Sequence, residues 1–394
     1  MLTNWAGNVI FGAREFHQPS TVDEVRALVA RSERIKAVGS GHSFSLIADT
    51  QGDLVSLRQL PPLMEIDSAA MTVKVAAGVR YGELAPFLHS HGYALANLGS
   101  LPHLSVAGAT ATATHGSGDR NGNLATSVAS LDLVTAQGDT VTLDRASGAV
   151  VNLGALGIAV AVTLDIEPAF QISQRVYRNL PELDLDIFAS AYSVSMFTQW
   201  RGESLDQVWV KERVGAQTQA WQGKQPAMAP MHPIAGMPAD SCTPQLGEPG
   251  PWYERLPHFR LEHTPSAGDE LQSEFFVPRS QAVQAFQAIN GIRERVAAVL
   301  QISEIRTIAA DELWMSPCYQ RESVAFHFTW IKDPAAVLPV VQALEEELAP
   351  FEPRPHWGKV FTMRPAVHPG FAGLIELYDP AGKFRNPFLD RALS

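Results

Sequence analysis

Apolar and polar residues follow helical spacing in two early segments of the chain and strand spacing in others. Apolar residues recur every three or four positions over residues 21–34, with acidic side chains in the first turn, which predicts an amphipathic helix. Residues 81–89 have the same spacing, although Pro86 weakens the prediction. Short apolar or alternating runs predict strands at residues 35–38 and 71–75, each followed by a glycine turn.

The pattern changes after residue 168. Before it, residues 130–135 and 140–143 flank a turn as in a hairpin, and residues 156–166 predict an apolar strand. After it, residues 215–270 are rich in Pro, Gly, Gln and Ser and predict long loops. The remaining predicted elements are strands at residues 274–277, 304–308 and 324–330 and helices at residues 280–299 and 335–348.

Composition limits the classes of protein that fit this pattern. The chain has 394 residues, 46% of them apolar, which is enough for a folded core and for two or three domains of about 150 residues. A net charge of −11 disfavours binding to nucleic acid or to a membrane surface. With neither a secretory signal nor a long apolar run at sequence level, we expect a cytoplasmic protein.

Cysteine and lysine usage adds two points. Cys242 and Cys318 match no metal-binding spacing, so we expect two reduced thiols and no metal site. Lysine supplies only 7 of the 30 basic residues. A lysine that lies among apolar neighbours is therefore a candidate for a special role.

Three segments of the first half combine glycine, hydroxyl residues and histidine, at residues 38–44, 99–108 and 110–118. Small residues let the backbone approach a ligand closely, and backbone N–H groups with hydroxyls can hold a pyrophosphate without lysine. The sequence contains neither the Rossmann glycine fingerprint within a βαβ unit nor a P-loop. These segments therefore favour a dinucleotide site of another kind.

His42 lies where the strand predicted at residues 35–38 meets its glycine turn, and it has two readings. A histidine there is often a structural side chain that caps the turn. Alternatively, its neutral imidazole is a nucleophile placed against a cofactor. The spacing alone leaves both open.

The sequence motifs resemble the FAD domain of the vanillyl-alcohol oxidase superfamily, and within it the alditol oxidase branch. The similar motifs are G-S-G-H-S-F at residues 39–44, G-S-L-P-H-L-S-V-A-G at 99–108 and T-H-G-S-G at 114–118. The resemblance continues through residues 157–158, 304–307, 327–330, 356–361 and 379–386, so it covers essentially the whole chain. It implies an α+β fold with a two-part FAD-binding domain and a substrate domain built on a mainly antiparallel sheet covered by helices.

The resemblance also implies domain limits and cofactor contacts. The FAD-binding domain would span residues 1–168, the substrate domain 169–358, and residues 359–394 would return to the FAD domain. His42 would bond covalently to the flavin 8α-methyl group, and Ile158 would hold the flavin edge through its backbone. The other expected FAD contacts are Ser40, Gly41, Ser43, Phe44, Ser100, Ser105, Gly108, Thr112, Thr114, His115, Gly116, Ser117 and His356.

Four polar residues of the second half are expected to share one face of a sheet. Glu304 and Arg306 are two positions apart, and so are His327 and Thr329, which puts each pair on one face of its strand. Such groups can hydrogen-bond successive hydroxyls of a polyol. The alternative for Glu304 and Arg306 alone is a surface ion pair. By resemblance, Ser100 joins Glu304, Arg306 and Thr329 as a substrate contact.

Lys359 lies between Trp357-Gly358 and Val360-Phe361, an apolar setting. Burial would lower its pKa and make it a candidate base or a partner for charge on the reduced cofactor. Alternatively, it reaches out to solvent from a strand edge. We assign the catalytic proton to the pair Lys359 and His327 without dividing it, with Arg306 and Glu304 as the other catalytic residues.

The resemblance therefore implies an FAD-dependent oxidase of the terminal hydroxyl of linear alditols such as xylitol and sorbitol, which reduces O2 to H2O2, and we expect a cytoplasmic monomer. Gly99 would leave room for O2 beside the flavin. An aldonolactone or other sugar oxidase of the same superfamily is the main alternative. A flavin-binding protein without turnover is another, whereas a metal hydrolase using His327 and His356 lacks suitable ligand spacing.

Overall fold

The computed structural model describes residues 2–202, 204–216, 224–263 and 268–393. Within these ranges the helices are α1 (Val22–Arg31), α2 (Tyr81–Ser90), α3 (Val106–Ala111), α4 (Ala282–Gly291), α5 (Arg293–Val299), α6 (Pro334–Leu348), α7 (Pro369–Tyr378) and α8 (Pro387–Leu393). None of these described helices is both long and apolar enough to cross a membrane.

The strands cover much of the chain in short and long segments. They are β1 (Glu15–His17), β2 (Ile35–Ala37), β3 (Asp53–Val55), β4 (Met64–Asp67), β5 (Thr72–Ala76), β6 (Tyr93–Ala94), β7 (Val128–Val134), β8 (Thr140–Asp144), β9 (Ile158–Asp165), β10 (Glu167–Pro168), β11 (Gln171–Leu180), β12 (Ser193–Thr198), β13 (Leu205–Arg213), β14 (Gly250–Pro251), β15 (Leu271–Pro278), β16 (Leu300–Ile308), β17 (Ser323–Trp330) and β18 (Arg354–Pro355).

The strands form four sheets of unequal size. A parallel sheet has the order β1-β3-β2, and an antiparallel sheet has the order β4-β5-β9-β7-β8. Strands β10 and β6 make a two-stranded ribbon. The largest sheet is antiparallel throughout, with the order β14-β11-β13-β12-β16-β17-β15-β18. The architecture is therefore α+β with mainly antiparallel sheets, as the resemblance implies.

Local sequence accounts for several of the helices. The Thr21 hydroxyl caps α1 by accepting a hydrogen bond from the Glu24 backbone N–H, 3.2 Å away. Helix α2 continues through Pro86 because Leu84 and Leu88 are fully buried on its inner face. The single helix predicted over residues 280–299 is wrong. Helix α4 ends at Gly291 and α5 follows it, since glycine favours a helix C-terminus.

The segment predicted as long loops lies at residues 215–270, and residues 217–223 and 264–267 of it are outside the described ranges. The described part contains two short 3-10 turns and the two-residue strand β14. It adds to the large sheet only by the pairing of β14 with β11. The prediction of a loop-rich region is therefore confirmed for the described residues.

The C-terminal segment packs against elements from the first half of the chain. The Asn386 amide donates hydrogen bonds to the carbonyl oxygens of Leu46, Ile47 and Asp49. The Lys383 ammonium donates to the carbonyls of Val29 and Ala136, both at 2.7 Å. The last residues are thus held on the side of the molecule that carries the glycine-rich loops.

Candidate active site

A large cavity of about 1580 Å³ opens between the glycine-rich loops and the largest sheet. A second cavity of about 1180 Å³ adjoins it on the side of the smaller sheets. The two cavities have a common wall, which is formed by Val38, Gly39, Ser40, Ser43, Ala48, Ser105, Gly108 and Thr112. Together they form an elongated space that suits a dinucleotide.

Glycines and an unpartnered hydroxyl form the shared wall. A Cβ at Gly39 would collide with the Ser105 hydroxyl oxygen, and a Cβ at Gly108 would lie 2.8 Å from it. The Ser105 hydroxyl is buried and has no hydrogen-bond partner among the described residues. Because a buried hydroxyl without a partner is costly, it is available to a ligand oxygen. These features fit an FAD pyrophosphate.

His42 lines the larger cavity, and its ring stacks on Trp5 with 5.1 Å between the ring centroids. Burial, and secondarily nearby cations that include His103 and Lys359, lower the pKa of His42 to about 4. The imidazole is therefore neutral at pH 7, which is the form that acts as a nucleophile.

Strand register brings the polar residues of the large sheet together. Glu304 on β16 is paired directly with His327 on β17, which in turn is paired with Glu274 on β15. Residues two positions along a strand share a face, so Arg306 and Thr329 lie on the same side of the sheet. All five residues line the larger cavity, and each is less than a tenth exposed.

Opposite charges alternate across this sheet face. The Arg306 guanidinium lies 2.7 Å from Glu274 Oε1 and 3.5 Å from Glu304 Oε1. Burial would raise the pKa of Glu304, but Arg306 and His258 lower it below its usual value. Burial would also raise the pKa of Glu274, but His115 and Arg306 lower it well below its usual value. Both carboxylates are therefore ionised. The alternative reading of Glu304 and Arg306 as a surface ion pair is wrong, since both are buried.

Lys359 and His327 meet at the amide of Gln272. The Lys359 ammonium donates a hydrogen bond to Gln272 Oε1, and its Nζ lies 3.5 Å from His327 Nε2. His327 Nε2 is 3.2 Å from the same Gln272 oxygen. Burial, followed by the Lys359 charge, lowers the pKa of His327 to about 3, and burial also lowers the pKa of Lys359. Two nitrogens with weakened basicity thus lie side by side in the cavity.

The glycine-rich loops and the large sheet contact each other directly at this site. His115 Nε2 lies 3.0 Å from Glu274 Oε1, and Arg306 donates to the Ser100 hydroxyl at 3.5 Å. The backbone N–H of Gly118 donates to the Thr307 carbonyl. Residues predicted to hold the cofactor and residues predicted to hold the substrate therefore form one contiguous site.

Most of the residues predicted for the site line the larger cavity. They are Ser40, Gly41, His42, Ser43, Phe44, Ser100, Ser105, Gly108, Thr112, Thr114, His115, Glu304, Arg306, His327, Thr329, His356 and Lys359.

Three of the predicted residues lie outside its lining. Gly116 packs against Leu98 and Asn97, the Ser117 hydroxyl donates to the Val194 carbonyl, and the Ile158 side chain lies in the core.

Three polar residues that line the larger cavity were missed by sequence reasoning: Gln272, Glu274 and His258. Glu274 begins the strand predicted at residues 274–277, and His258 lies in the segment predicted as long loops. Side-chain parity could have given a signal for Glu274, because a carboxylate on an apolar strand is expected to face polar residues of the neighbouring strands. His258 is brought in by the loop before β15, so only the tertiary structure reveals it.

One group of metal-ligand type occurs in the described ranges, at Glu15, His17 and Asp53 on β1 and β3. It lies outside the lining of both cavities. Asp53 already contacts Ser32 and Arg14. The group therefore takes no part in the site.

Both halves of the chain match models of known protein families. A family model described as "FAD binding domain" matches residues 14–144, and one described as "D-arabinono-1,4-lactone oxidase" matches residues 269–392. The chain is similar to the structure of a solvent-stable cholesterol oxidase, with a TM-score of 0.79 over 99% of this chain and 96% of that one at 16% identity. Fold and site together define an FAD-dependent oxidoreductase of the vanillyl-alcohol oxidase superfamily.

Sequence relatives narrow this class. The chain is 51% identical to "Alditol oxidase" of Streptomyces sp. (strain IKD472 / FERM P-14339), covering 98% of both chains. It is 27% identical to "L-gulonolactone oxidase" of Mus musculus, over 98% of this chain and 97% of that one. The chain therefore belongs to the alditol oxidase family.

Proposed function

We propose that this protein oxidises the terminal primary hydroxyl of linear alditols such as xylitol and sorbitol to the aldose, and reduces O2 to H2O2. One observation carries the proposal. Buried Glu304, Arg306, His327 and Thr329 and partly buried Lys359 crowd one end of a cavity whose other end is lined by glycine and hydroxyl residues. The 51% identity to a protein named alditol oxidase supports the choice of substrate class.

The residues of the shared wall fit FAD, and His42 is proposed to carry it covalently through the flavin 8α-carbon. The neutral imidazole of His42 in the cavity supports this bond, because only an unprotonated nitrogen can form it. Backbone and hydroxyl groups around Ser40, Ser43 and Ser105 would hold the pyrophosphate. When bound, the flavin supplies the acceptor for the hydride of the alcohol carbon.

The side chains of the sheet would bind and deprotonate the alcohol. Ionised Glu304 can accept hydrogen bonds from hydroxyl groups, and Arg306 can donate to hydroxyl oxygens. The hydroxyl proton would pass to the pair of Lys359 and His327, since burial lowers the pKa of both and so favours the unprotonated forms, which can accept a proton. Thr329 and Ser100 complete the set of hydroxyl contacts.

An aldonolactone or other sugar oxidase is the second candidate function. The match of residues 269–392 to the lactone oxidase family model favours it. A flavin-binding protein without turnover would not need the ionised Glu304–Arg306 pair in its cavity.

We also propose that the protein is a cytoplasmic monomer and that its domains divide at residues 1–168, 169–358 and 359–394. All strands of the large sheet lie between residues 171 and 355, which supports the division, as do the contacts of Asn386 with Leu46 and Ile47.

Peroxide formation from xylitol and from an aldonolactone distinguishes the two candidate reactions. We expect turnover and one H2O2 per xylitol oxidised, with little turnover of the lactone. Preference for the lactone would contradict the alditol assignment, and absence of turnover with either would favour the flavin-binding alternative.

Acid precipitation tests the covalent bond. The wild-type pellet should stay yellow, whereas the pellet of His42→Ala should be colourless with its FAD in the supernatant. His91→Ala is the control, because His91 is exposed, lines neither cavity, and its ring contacts the Phe87 carbonyl. Flavin that stays attached to His42→Ala would refute the assignment.

A further inference from the structure

Lys211 is a buried lysine on the sheet face that carries the site, and the proposed chemistry does not use it. It lies on β13, two positions from Trp209, and is 1% exposed. Register across β12 places this side of β13 on the same face as Arg306, since Trp209 and Arg306 are both paired with Ser195. The Lys211 ammonium donates hydrogen bonds to the carbonyls of Leu256 and Pro257.

His258 connects Lys211 to the site. Its Nδ1 lies 3.0 Å from Lys211 Nζ, and its Nε2 lies 2.7 Å from Glu304 Oε1. The ring is surrounded by Phe197, Trp209 and Phe259, with centroid distances of 5.6, 5.1 and 6.4 Å. Packing against three aromatic rings fixes the plane of the imidazole.

The hydrogen bonds define which nitrogen of His258 carries the proton. A lysine ammonium has three N–H donors and no acceptor, and two of the donors of Lys211 point to carbonyl oxygens. Burial lowers the pKa of Lys211 to about 7, so the ammonium form holds below that pH. Its third donor then points to His258 Nδ1, which is the unprotonated acceptor. The hydrogen is then on Nε2, where it is donated to the Glu304 carboxylate. Burial and the Lys211 charge lower the pKa of His258 to about 4, in agreement with a neutral ring.

This arrangement engages one oxygen of Glu304. Oε1 faces both His258 and, at 3.5 Å, the Arg306 Nε. Within the part of the chain that the structure describes, no hydrogen bond involves Oε2, and Glu304 lines the cavity. Oε2 is thus left to accept a hydrogen bond from a ligand hydroxyl.

We propose that Lys211 and His258 are positioning residues for substrate recognition, and that they hold Glu304 with one oxygen directed to a substrate hydroxyl. The proposal rests on the proposed function, in which Glu304 binds the polyol. Lys211 sets the tautomer of His258, and His258 restrains the carboxylate. Lys211, His258 and Glu304 form a relay that recognises a hydroxyl donor. Its class of ligand is therefore a polyhydroxylated molecule rather than a simple alcohol.

A double-mutant cycle in the holoenzyme tests the relay. We expect Lys211→Met to raise KM for xylitol about tenfold, with kcat changed much less, because His258, the hydrogen-bond partner of Glu304, loses its own buried partner. Glu304→Gln should raise KM as well, and the double variant should resemble Glu304→Gln alone. Lys74→Met removes a half-exposed lysine paired with Asp132 and serves as the matched control.

The outcomes distinguish the substrate role of Glu304 from the positioning role of Lys211 and His258. If Glu304→Gln leaves KM unchanged, the substrate role of Glu304 in the proposed function is refuted, and the positioning role with it. If Glu304→Gln raises KM while Lys211→Met does not, or the two losses simply add, only the positioning role is overturned.

A spectroscopic measurement does not depend on turnover or on how well a Lys211 variant folds. In [15N]histidine-labelled wild-type protein, the resonances that disappear in His258→Phe identify His258. We expect a protonated Nε2 and an unprotonated Nδ1 in the wild type at pH 6, where Lys211 is an ammonium. A protonated Nδ1 in the wild type would overturn the proposal.

Discussion

His42 and His327 lie in the same cavity, and burial lowers the pKa of both, to about 4 and about 3. Their environments differ in a way that suits different tasks. The ring of His42 stacks on Trp5, beside the loop that forms the shared wall of the two cavities. The ring of His327 lies among Gln272 and Lys359 on the sheet. At the residue scale, the same physical effect thus keeps both rings neutral, which is the form that the proposed attachment of His42 and the proposed proton transfer to His327 require.

Lys359→Met tests the proton-accepting pair. Methionine keeps the length and the apolar stem of the side chain but removes the amine, so we expect flavin reduction by xylitol to slow by about 10²–10⁴-fold with FAD retained. Anaerobic stopped-flow absorbance measures the rate. Near-normal reduction would exclude the lysine from the mechanism. The same experiment with His327→Phe tells which member of the pair takes the proton, since the variant that lacks the proton acceptor loses the larger share of the rate.

Gly99 tests whether space beside the flavin controls the reaction with O2. An added Cβ would lie 3.5 Å from Thr114 Cγ2 and 3.6 Å from the His115 carbonyl oxygen, so alanine fits without a clash. We expect Gly99→Ala to keep its FAD and its rate of reduction, while reoxidation by O2 slows about tenfold, equivalent to about 1.4 kcal/mol of barrier. Unchanged reoxidation in stopped-flow mixing with aerated buffer would show that the glycine serves only the turn.

At the scale of elements, three neighbouring strands carry the polar side chains of the site: β15, β16 and β17. Period-two alternation puts Glu304 with Arg306 and His327 with Thr329, and antiparallel register then sets Glu304 beside His327. Alternation along one strand is readable from the sequence, whereas the register between strands that are separated by a loop is not. Glu274 joins them because β15 is paired with β17 on the other side.

Glu274→Gln tests how much the buried charge network contributes to stability. The Glu274 carboxylate is 1% exposed and faces both His115 and Arg306, so the neutral amide leaves buried positive charge without its counterion. We expect the free energy of unfolding to fall by about 3–5 kcal/mol and KM to rise as Arg306 loses its restraint. Urea denaturation gives the first quantity.

The control for this substitution is Glu346→Gln at an exposed position of α6, where we expect a change below about 0.5 kcal/mol. An equally small effect at Glu274 would mean that the network contributes nothing to folding.

At the scale of the whole molecule, the buried neutral histidines make stability depend on pH. His258 and His327 have pKa values of about 4 and about 3 when folded. Unfolding returns the imidazoles to water, where they bind protons near pH 6.5, so the unfolded state holds more protons below that pH. The free energy of unfolding should therefore decrease as pH falls from 6.5 towards 4.

These two histidines alone contribute a decrease approaching about 2.7 kcal/mol per pH unit near pH 5, and His42, with a pKa of about 4, makes the slope steeper. Denaturation by urea at pH 7, 6 and 5 measures it. The variant His327→Phe should have a shallower slope by about one proton. A stability that is level over this range would contradict the protonation states assigned to the site.

The tertiary structure also brings the C-terminal segment against the first half of the chain. Asn386 is 1% exposed and binds three carbonyls of residues 46–49, while Lys383 binds those of Val29 and Ala136. The glycine-rich loop that contains His42 is thereby packed between the N-terminal sheet and the C-terminal segment. Residues far apart in sequence, such as Ser45 and Trp357, form hydrogen bonds across this junction.

The sequence by itself determined the glycine-rich segments, the side-chain parity of Glu304 with Arg306 and of His327 with Thr329, and the family. These features are local: turn chemistry and period-two alternation depend on neighbours along the chain. Tertiary structure alone decided that Glu274, Gln272 and His258 line the cavity and that Lys211 contacts His258. It also decided that Glu304 and Arg306 are buried, and that the helix predicted over residues 280–299 divides at Ile292. Burial and charge arise from contacts between distant segments, and no spacing along the chain records them.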